Sequence, residues 1–208
     1  MQSIRTKRGL WIILAFFAII IGLYPIIYFS IDRTFGLLST KSAELLSNTF
    51  WNIGFYAHIV LGGVALLIGW IQFSSKIRIK NITWHRGIGK VYVIAALISS
   101  IAGIGIGFFA TGGVLASLGF IFLGVSWLYS TLIAFLTIRK GQIEQHQRMM
   151  IYSYALCFSA VTLRIWLPIL VIIFQNFITA YIIVAWLCWV PNLTVAYFMN
   201  KRFTSAAH

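Results

Sequence analysis

Long apolar segments separated by short polar stretches make up most of the chain. Each of six segments is near the length of about 20 residues that a helix needs to cross the hydrocarbon core of a bilayer. They cover residues 10–30, 51–73, 88–109, 113–138, 149–173 and 178–199. In a helix every backbone polar group pairs within its own segment, as a lipid environment requires. The pattern therefore predicts an all-α membrane protein with six transmembrane helices.

Four of these segments carry small and polar residues at helical spacing, so that each predicted helix has one polar face. The faces hold His58, Gly62, Ala65, Gly69 and Gln72 in the second helix; His85, Gly89, Tyr92, Ala96, Ser99, Gly103 and Gly107 in the third; Gly119, Ser126, Ser130, Ala134 and Thr137 in the fourth; and His146, Met150, Ser153, Cys157, Ala160 and Arg164 in the fifth. Such faces pack against neighbouring helices rather than lipid. The sixth helix has Trp186, Trp189 and Asn192, which we interpret as lipid and interface contacts. We expect helices two to five to form a core four-helix bundle, with helices one and six peripheral.

Basic residues fall mostly on one side of the predicted membrane. Of the 16 Lys and Arg residues, all except Arg33, Lys41 and Arg164 lie in terminal segments or loops that the alternation of six helices places on that side. Because cytoplasmic loops are enriched in Lys and Arg, both termini are predicted to be cytoplasmic. The first apolar segment resembles a signal peptide, but its length and the lack of a small-residue cleavage pattern favour a retained helix. We expect one polytopic domain over residues 1–208.

Composition excludes several classes of protein. The chain is 61% hydrophobic and 9% charged, with a mean hydropathy of +0.94, which is outside the range of soluble domains. The net charge of +13 suits contact with the anionic headgroups of a lipid bilayer, and no nucleic-acid partner is expected. With three acidic residues in all, no carboxylate pair for hydrolytic catalysis is predicted. Cys157 and Cys188 lie within predicted helices and are interpreted as small apolar side chains.

The ionisable residues of the polar faces fall at two depths. With a rise of about 1.5 Å per residue, His58 and Arg164 lie at a similar level in the outer half of the membrane. The inner level, at the cytoplasmic ends of the helices, contains His85, His146, Gln72 and Arg86. A single metal ion cannot contact both levels. We therefore expect an outer and an inner group of side chains that face a common interior.

Arg164 has two interpretations, because an arginine at the centre of a membrane helix costs roughly 2–3 kcal/mol. It is either a structural residue whose long side chain reaches the outer headgroups, or a functional residue that binds a haem propionate, a quinone oxygen or a carboxylate. Pro168 favours the second interpretation. Since proline cannot donate to the carbonyl four residues earlier, we expect a kink and an irregular backbone beside a lined cavity.

The histidines also have two interpretations each. His58 is either a buried neutral imidazole that hydrogen-bonds across helices or a ligand. His85 and His146 are either polar residues at the membrane interface or a pair that faces across the bundle. Two facing imidazoles are the axial ligands of a low-spin haem b, whereas another metal ion would require more acidic or thiol ligands than this region offers. Haem b is therefore the cofactor that the sequence favours, with Tyr92 and Met150 as further candidates for contacts with it.

Three segments of the sequence resemble one known family: HIVLGGVALLIGWIQF (58–73), HRGIGKVY (85–92) and HQRMMIYSYALCFSAVTLRIWLP (146–168). Together they are similar to the bacterial predicted membrane proteins called domain of unknown function 2306 (DUF2306), over about residues 50–170. The resemblance implies a multi-pass protein of the bacterial plasma membrane. Matched by position, it points to His58, Gly62, Gln72, Phe73, His85, Arg86, Gly89, Tyr92, His146, Met150, Thr162, Arg164 and Pro168. Family members usually have Trp in place of Met149 and Arg in place of Tyr152, so no role is carried over to these two residues.

The chain is also similar, more loosely, to the six-helix cytochromes b that reduce ferric iron or accept electrons from ascorbate. In those proteins helices two to five hold two haems between four histidines. This chain has histidines on helices two, three and five, and its fourth helix has neither His nor Met. The resemblance therefore implies one inner haem between His85 and His146, without a second axial ligand for an outer one.

Three functions are compatible with these features. The first, which the sequence favours, is a membrane electron-transfer protein or oxidoreductase with haem b at His85 and His146 and a quinone or similar redox partner at His58 and Arg164. The second is a small-solute or proton-linked transporter in which Arg164 binds an anion. The third is a non-enzymatic membrane subunit or assembly factor. Enzymatic activity and oligomeric state, a homo-oligomer included, stay open at this stage.

Overall fold

A computed structural model describes residues 2–30 and 36–205 of the chain. Throughout this part the secondary structure is helical, without strands. Six helical segments are long and apolar enough to cross a membrane, which confirms the predicted all-α membrane fold. These spans, numbered from the N-terminus, are Trp11–Ser30, Thr49–Phe73, Ile82–Gly107, Val114–Arg139, Ile143–Phe174 and Phe177–Lys201.

Several α-helices, joined by 3-10 turns and short loops, build these spans. The α-helices are α1 (Gln2–Leu23), α2 (Ile27–Ser30), α3 (Ala43–Ser47), α4 (Thr49–Gly69), α5 (Ser75–Lys80), α6 (Ile82–Gly107), α7 (Val114–Arg139), α8 (Ile143–Cys157), α9 (Ser159–Phe174), α10 (Phe177–Leu187) and α11 (Val190–Ser205). The 3-10 turns are Tyr24–Ile26, Gly36–Thr40 and Trp70–Phe73. The loops after spans 2 and 4 lie at one end of the bundle, which we call the basic end and which the sequence predicts to be cytoplasmic. The other end is called the Lys41 end.

Asparagine and serine side chains set the starts of several helices. Asn48, Asn81 and Asn176 each accept a hydrogen bond from the backbone N–H three residues later, at the starts of α4, α6 and α10. Ser42 and Ser74 do the same for α3 and α5. A cap of this kind satisfies one of the four N–H groups that a helix start leaves unpaired. The short polar loops therefore fix where each of these helices begins.

The fifth and sixth spans are interrupted. The fifth is broken at Phe158, between α8 and α9, and the sixth at Cys188 and Trp189, between α10 and α11. Pro191 lies in the first turn of α11 and accounts for the second interruption, because proline cannot donate to the preceding turn. In contrast, α9 continues through Pro168. The irregular backbone that the sequence predicted at Pro168 is therefore found earlier in the span, at Phe158.

Spans 2 to 5 form the core four-helix bundle that the polar faces predicted. α4 packs on α6, α6 on α7 and α7 on α8, and α8 returns to α4. Span 1 lies outside this bundle against α4 and α9, and span 6 lies outside it against α7, α8 and α9. Span 6 still buries one face against the bundle, which includes Ala180, Val184, Ala185 and Cys188. Large apolar side chains such as Phe16, Ile94 and Ile172 are exposed on the outside, as contact with lipid requires.

Two glycines of α4 permit the closest approaches of neighbouring elements. A Cβ atom added at Gly63 would lie 2.6 Å from the carbonyl oxygen of Gly22 in span 1. One added at Gly69 would lie 2.4 Å from the ring of Tyr154 and 2.8 Å from that of Tyr92. All three distances are shorter than a carbon atom tolerates, so α4 meets its neighbours through positions that have no side chain.

We predict that Gly69→Ala destabilises the bundle by about 1–3 kcal/mol, because the new methyl group displaces two buried tyrosine rings. Gly105→Ala is the matched control, since a Cβ atom there would meet no atom within 4 Å. Alanine also favours a helix over glycine, so the control should be neutral or slightly stabilised. Reversible unfolding of the purified protein in mixed micelles measures both free energies. Equal effects of the two substitutions would contradict the packing at Gly69.

Candidate functional site

A cavity of about 230 Å³ lies inside the bundle, towards the Lys41 end. All six spans contribute to its wall, and the charged or titratable groups that line it include Lys41, His58 and Arg164. The two residues that the sequence placed at the outer level therefore meet at one cavity. No Asp or Glu of the described residues lines it. The site is therefore rich in hydrogen-bond donors and has an excess of positive charge.

His58 is held in the cavity wall by a reciprocal pair of hydrogen bonds with α6. Its Nδ1 lies 2.9 Å from the carbonyl oxygen of Ser99, and the Ser99 hydroxyl donates to the carbonyl oxygen of His58 at 2.8 Å. A carbonyl only accepts, so Nδ1 carries the hydrogen and Nε2 is the nitrogen left for a ligand. His58 thus hydrogen-bonds across helices, as one of its two interpretations predicted, and Nε2 remains available to a ligand.

Two glycines open the space that this pair occupies. A Cβ atom at Gly103 would lie 2.8 Å from Nδ1 of His58, and one at Gly62 would lie 3.0 Å from the Ser99 hydroxyl. Gly62 therefore approaches α6 closely and also lines the cavity. The glycines on the predicted polar faces serve here to bring α4 and α6 close together.

Arg164 also stays inside the protein rather than extending to the headgroups. Its guanidinium donates to the carbonyl oxygen of Ala160 at 2.9 Å and lies 4.3 Å from the centre of the Tyr24 ring. A cation over an aromatic face is an attractive arrangement, but a ring does not neutralise the charge. Neither contact is with a carboxylate. The guanidinium therefore lies at the cavity wall, held by a carbonyl group and an aromatic ring.

The interruptions of spans 5 and 6 are joined to each other by side chains. The Thr162 hydroxyl donates to the carbonyl oxygen of Cys188, and the Asn192 amide donates to Thr162 at 3.2 Å and to the Ala155 carbonyl oxygen at 3.1 Å. Trp189 is only 8% exposed. The interpretation of Trp189 and Asn192 as lipid contacts is therefore wrong. Sequence periodicity missed them because their partners are carbonyl groups freed by the helix breaks.

A chain of buried hydroxyl groups separates the cavity from the basic end. The Tyr92 hydroxyl lies 2.8 Å from that of Ser153, which lies 2.7 Å from that of Thr131. Thr131 in turn donates to the carbonyl oxygen of Trp127 at 2.7 Å. The chain joins α6, α8 and α7. The hydroxyl of Tyr92, which the sequence predicted to contact a cofactor, thus forms a hydrogen bond between helices.

His85 and His146 lie two helical turns from this chain, towards the basic end. Each is seven residues before a member of the chain, Tyr92 or Ser153, and seven residues is nearly two turns. The two histidines therefore share the helix faces that meet directly in the Tyr92–Ser153 hydrogen bond. Each is also the fourth residue of its helix, α6 or α8. Their side chains are partly buried and interact electrostatically.

The ring of His146 is fixed by the fourth span. Its Nδ1 lies 2.8 Å from the carbonyl oxygen of Ala134, so that this nitrogen carries the hydrogen and Nε2 is available to a ligand. A histidine that binds a metal ion commonly donates its other N–H to a backbone carbonyl. The fourth span, which has no histidine, thus still contributes to the arrangement. That contribution comes from its backbone and has no sequence signal.

The other predicted inner residues lie around this pair in different environments. Gln72 is 8% exposed, and its Oε1 would lie 3.6 Å from a Cβ atom at Gly89, one turn from His85. Met150 is partly buried against the core, one turn from His146. Arg86 is exposed. Neither inner histidine lines the cavity at the Lys41 end or the surface groove between α7, α8 and α11.

Conventional metal sites with three or more protein ligands do not occur in residues 2–30 and 36–205, where His, Cys, Asp and Glu form no group of three or more. Cys157 and Cys188 are both buried and free. A haem, whose iron needs two axial ligands from the protein, does not depend on such a group.

The chain belongs to the DUF2306 family of predicted membrane proteins. The family model matches residues 55–200, which is about 70% of the chain. This confirms the resemblance seen in the sequence and extends it through the sixth span, about 30 residues beyond the expected limit. No curated protein and no solved structure matches the chain.

Lys41 closes the cavity wall at its outer end and provides a test of its burial. Its ammonium donates to the Phe109 carbonyl oxygen and to the Thr111 hydroxyl, and burial lowers its pKa below the usual 10.5. The unfolded chain then binds more protons than the folded one between the two pKa values, so stability rises with pH in that window.

We therefore predict that the wild-type protein gains thermal stability relative to Lys41→Gln as the pH is raised from about 8 to about 10.5. Because other groups titrate equally in both proteins, the difference between their melting temperatures isolates Lys41. Parallel melting curves across this range would show that Lys41 is solvated in the folded protein.

Proposed function

We propose that the protein is a membrane electron-transfer protein that binds one haem b through His85 and His146 and acts with a quinone or similar small redox partner. The observation that carries this proposal is the matched placement of the two imidazoles. Both are fourth residues of facing helices, and both lie two turns from the Tyr92–Ser153 hydrogen bond that joins those helices. Paired histidines on facing membrane helices are the axial ligands that haem b takes.

The residues around the pair are suited to this role. Ala134 holds the His146 ring so that Nε2 is available, which is the arrangement that orients an axial ligand. Gly89, one turn from His85, places no side chain between α6 and Gln72. When bound, the haem would supply one-electron transfer at its iron.

The cavity at the Lys41 end is the site that we propose for the redox partner. The Arg164 guanidinium donates to an oxygen atom of that partner, and Nε2 of His58, which carries no hydrogen, accepts from a hydroxyl of its reduced form. A haem propionate does not fit this position. Ser99, the partner of His58, is 14 residues from His85 along α6, which amounts to about 21 Å and exceeds the reach of a propionate arm.

We predict that the protein purified in detergent, after expression with a haem supply, shows a Soret band that His85→Ala and His146→Ala each reduce by about tenfold or more. The reason is that loss of one axial ligand lowers affinity at least as much as loss of an outer-shell partner, which costs about 10–100-fold. The absorption spectrum of each variant, normalised to protein, is the measurement.

His58→Ala is the matched control, because it removes an imidazole from the same membrane interior about 21 Å away along the helix axis. It should keep the band. A protein without a Soret band, or a band that persists undiminished in both inner variants, would refute the haem site. A band that depends on His58 instead would move the cofactor to the outer cavity.

A second function, transport of a small anion, is favoured by one observation. The break of span 5 borders the cavity, since Cys157, Ser159 and Ala160 all line it, and the break of span 6 is bonded to the same region through Thr162. Interrupted helices at a substrate site inside the membrane are typical of secondary transporters. The cationic wall would then select the charge of the substrate.

This function predicts uptake of radiolabelled benzoate into proteoliposomes, lost in Arg164→Gln because the substrate carboxylate loses its counter-charge. Arg139→Gln is the control, since Arg139 lies at the end of α7, away from the cavity wall. Uptake by colourless protein would favour transport over electron transfer. No uptake above that of empty liposomes would exclude benzoate transport.

A further inference from the structure

Arg164 is half-buried, and its guanidinium has fewer partners than a cation withdrawn from water requires. A guanidinium has five N–H donors, and one of them is used by the Ala160 carbonyl. The contact with Tyr24 uses the face of the cation and not its N–H groups. Buried charges in proteins are normally paired with an opposite charge. Among the described residues, no carboxylate takes that place.

The acidic residues that the structure describes lie elsewhere. Glu44 is exposed in the loop between spans 1 and 2. Glu144 forms an ion pair with Arg148 at the basic end. Neither lines the cavity. No carboxylate of residues 2–30 and 36–205 therefore pairs with Arg164, and a molecule that enters the cavity can supply the counter-charge.

One further donor at the cavity wall has no acceptor. Trp51 lines the cavity, is 7% exposed, and its indole N–H is buried with no hydrogen-bond partner among the described residues. Lys41, whose ammonium is already bonded to Phe109 and Thr111, adds a positive charge at the outer end. A buried donor left unpaired costs free energy, so its retention favours a ligand that brings acceptor atoms. Oxygen atoms with negative charge meet this requirement best.

The size and lining of the cavity limit the ligand further. A cavity of about 150 Å³ can bind one benzene molecule, and this one has about 230 Å³. It therefore accepts a substituted ring and excludes a haem. Aromatic side chains supply much of the wall, namely Tyr28, Trp51, Phe55, Phe120, Trp127 and Tyr181. A flat apolar body with one polar group suits such a wall.

A second candidate, the groove between α7, α8 and α11, is larger and more apolar, with about 660 Å³. It opens on the surface that faces lipid, and its lining includes Tyr129, Tyr152 and Tyr197 without a charged group. Nothing in the structure indicates what covers it. The buried cation makes the cavity near Arg164 the more informative of the two.

We propose that this cavity binds a ring-sized oxyanion, either an ionised hydroxyquinone or an aromatic carboxylate, with its negative charge on Arg164. This deepens the proposed function by specifying the charge state of the small partner, and its redox meaning rests on that function. The binding itself does not require the haem. The shared chemistry is one negatively charged oxygen group on a flat apolar body.

Three ligands of matched size separate charge from ring shape and from redox activity. They are 2-hydroxy-1,4-naphthoquinone, which is ionised at neutral pH, the neutral 1,4-naphthoquinone, and 2-naphthoate, which is anionic but not a quinone. Isothermal titration of the full chain in lipid nanodiscs, with empty nanodiscs subtracted, gives the affinities. We expect both anions to bind at least about tenfold more tightly than the neutral quinone, because only they compensate the buried charge. Equal affinities for all three, or no binding, would overturn the proposal.

Substitutions of arginine then test whether Arg164 is the residue that binds the anionic group. Arg164→Gln should remove the preference for anions, and Arg164→Lys should retain part of it, because lysine keeps the charge but not the planar fork. Arg139→Gln is the matched control: Arg139 also lies over an aromatic ring, that of Phe135, but outside the cavity. It should leave the preference unchanged. If Arg164→Gln keeps the anion preference, the proposal fails.

A further variant covers the case in which Arg164→Gln does not fold, as judged by size-exclusion chromatography. Leu123→Trp fills the cavity from α7 without a change of charge, and it should abolish binding of all three ligands. Undiminished binding in this variant would place the ligand elsewhere and overturn the proposal.

The outcome can be separated from that of the haem proposal. The same titrations are carried out on His85→Ala, and the absorption spectrum is recorded for every sample. Anion preference without a Soret band supports the cavity and refutes the haem. A Soret band without anion preference refutes the cavity alone. Preference for the hydroxyquinone over 2-naphthoate indicates a redox partner, whereas the reverse indicates a transported carboxylate.

Discussion

A polar group inside a bilayer has no water to bind, and the chain of hydroxyls through Tyr92, Ser153 and Thr131 satisfies this constraint at the centre of the bundle. The donor and acceptor of each hydrogen bond in this chain follow from its last bond. Thr131 donates to the Trp127 carbonyl, so Ser153 has to donate to Thr131, and Tyr92 to Ser153. Every proton of the chain is committed, and its last acceptor is a carbonyl that cannot pass a proton on. The chain therefore joins three helices, α6, α7 and α8.

This junction sets the rotation of the helices that carry both sites. One residue of shift turns a helix face by about 100°, which would separate the hydroxyls and move the histidines away from the interior. Because His85 and His146 are each seven residues from a member of the chain, the bond that fixes Tyr92 against Ser153 also sets the helix faces on which the two imidazoles lie. Towards the Lys41 end, the His58–Ser99 pair does the same for α4 and α6. Lipid is as apolar as the helix surfaces, so burial of apolar surface does not decide how the helices are rotated. Hydrogen bonds between helices specify that rotation.

The sequence predicted those features that follow from hydropathy and helical period. The spans, the bundle of helices two to five, and the inward placement of His58 and Arg164 belong to this group, because each depends on residues at regular spacing within one segment. Asn192 and Trp189 were misread, since they bond to backbone carbonyls beside the interruptions of spans 5 and 6, Ala155 and Ala185, which periodicity does not reveal. Pro168 was a misleading signal: proline permits a kink but does not determine where tertiary packing interrupts the span. The orientation of His146 by a carbonyl of the fourth span has no sequence signal at all.

The two arginines of the fifth span show how environment decides between structure and function. Arg148, near the basic end, has Glu144 one turn away and can exchange that partner for water or a headgroup. Arg164 has a ring and a carbonyl, in a place where loss of solvation is costly and an apolar residue of similar size would often be as stable. A charge kept under such conditions contributes nothing that packing could not supply, unless a ligand uses it. The same reasoning is weaker for the inner histidines, because neutral imidazoles near the membrane surface cost little. The proposal that the cavity at the Lys41 end binds a ligand therefore rests on both charge and geometry. The proposal that His85 and His146 bind a haem rests on geometry alone.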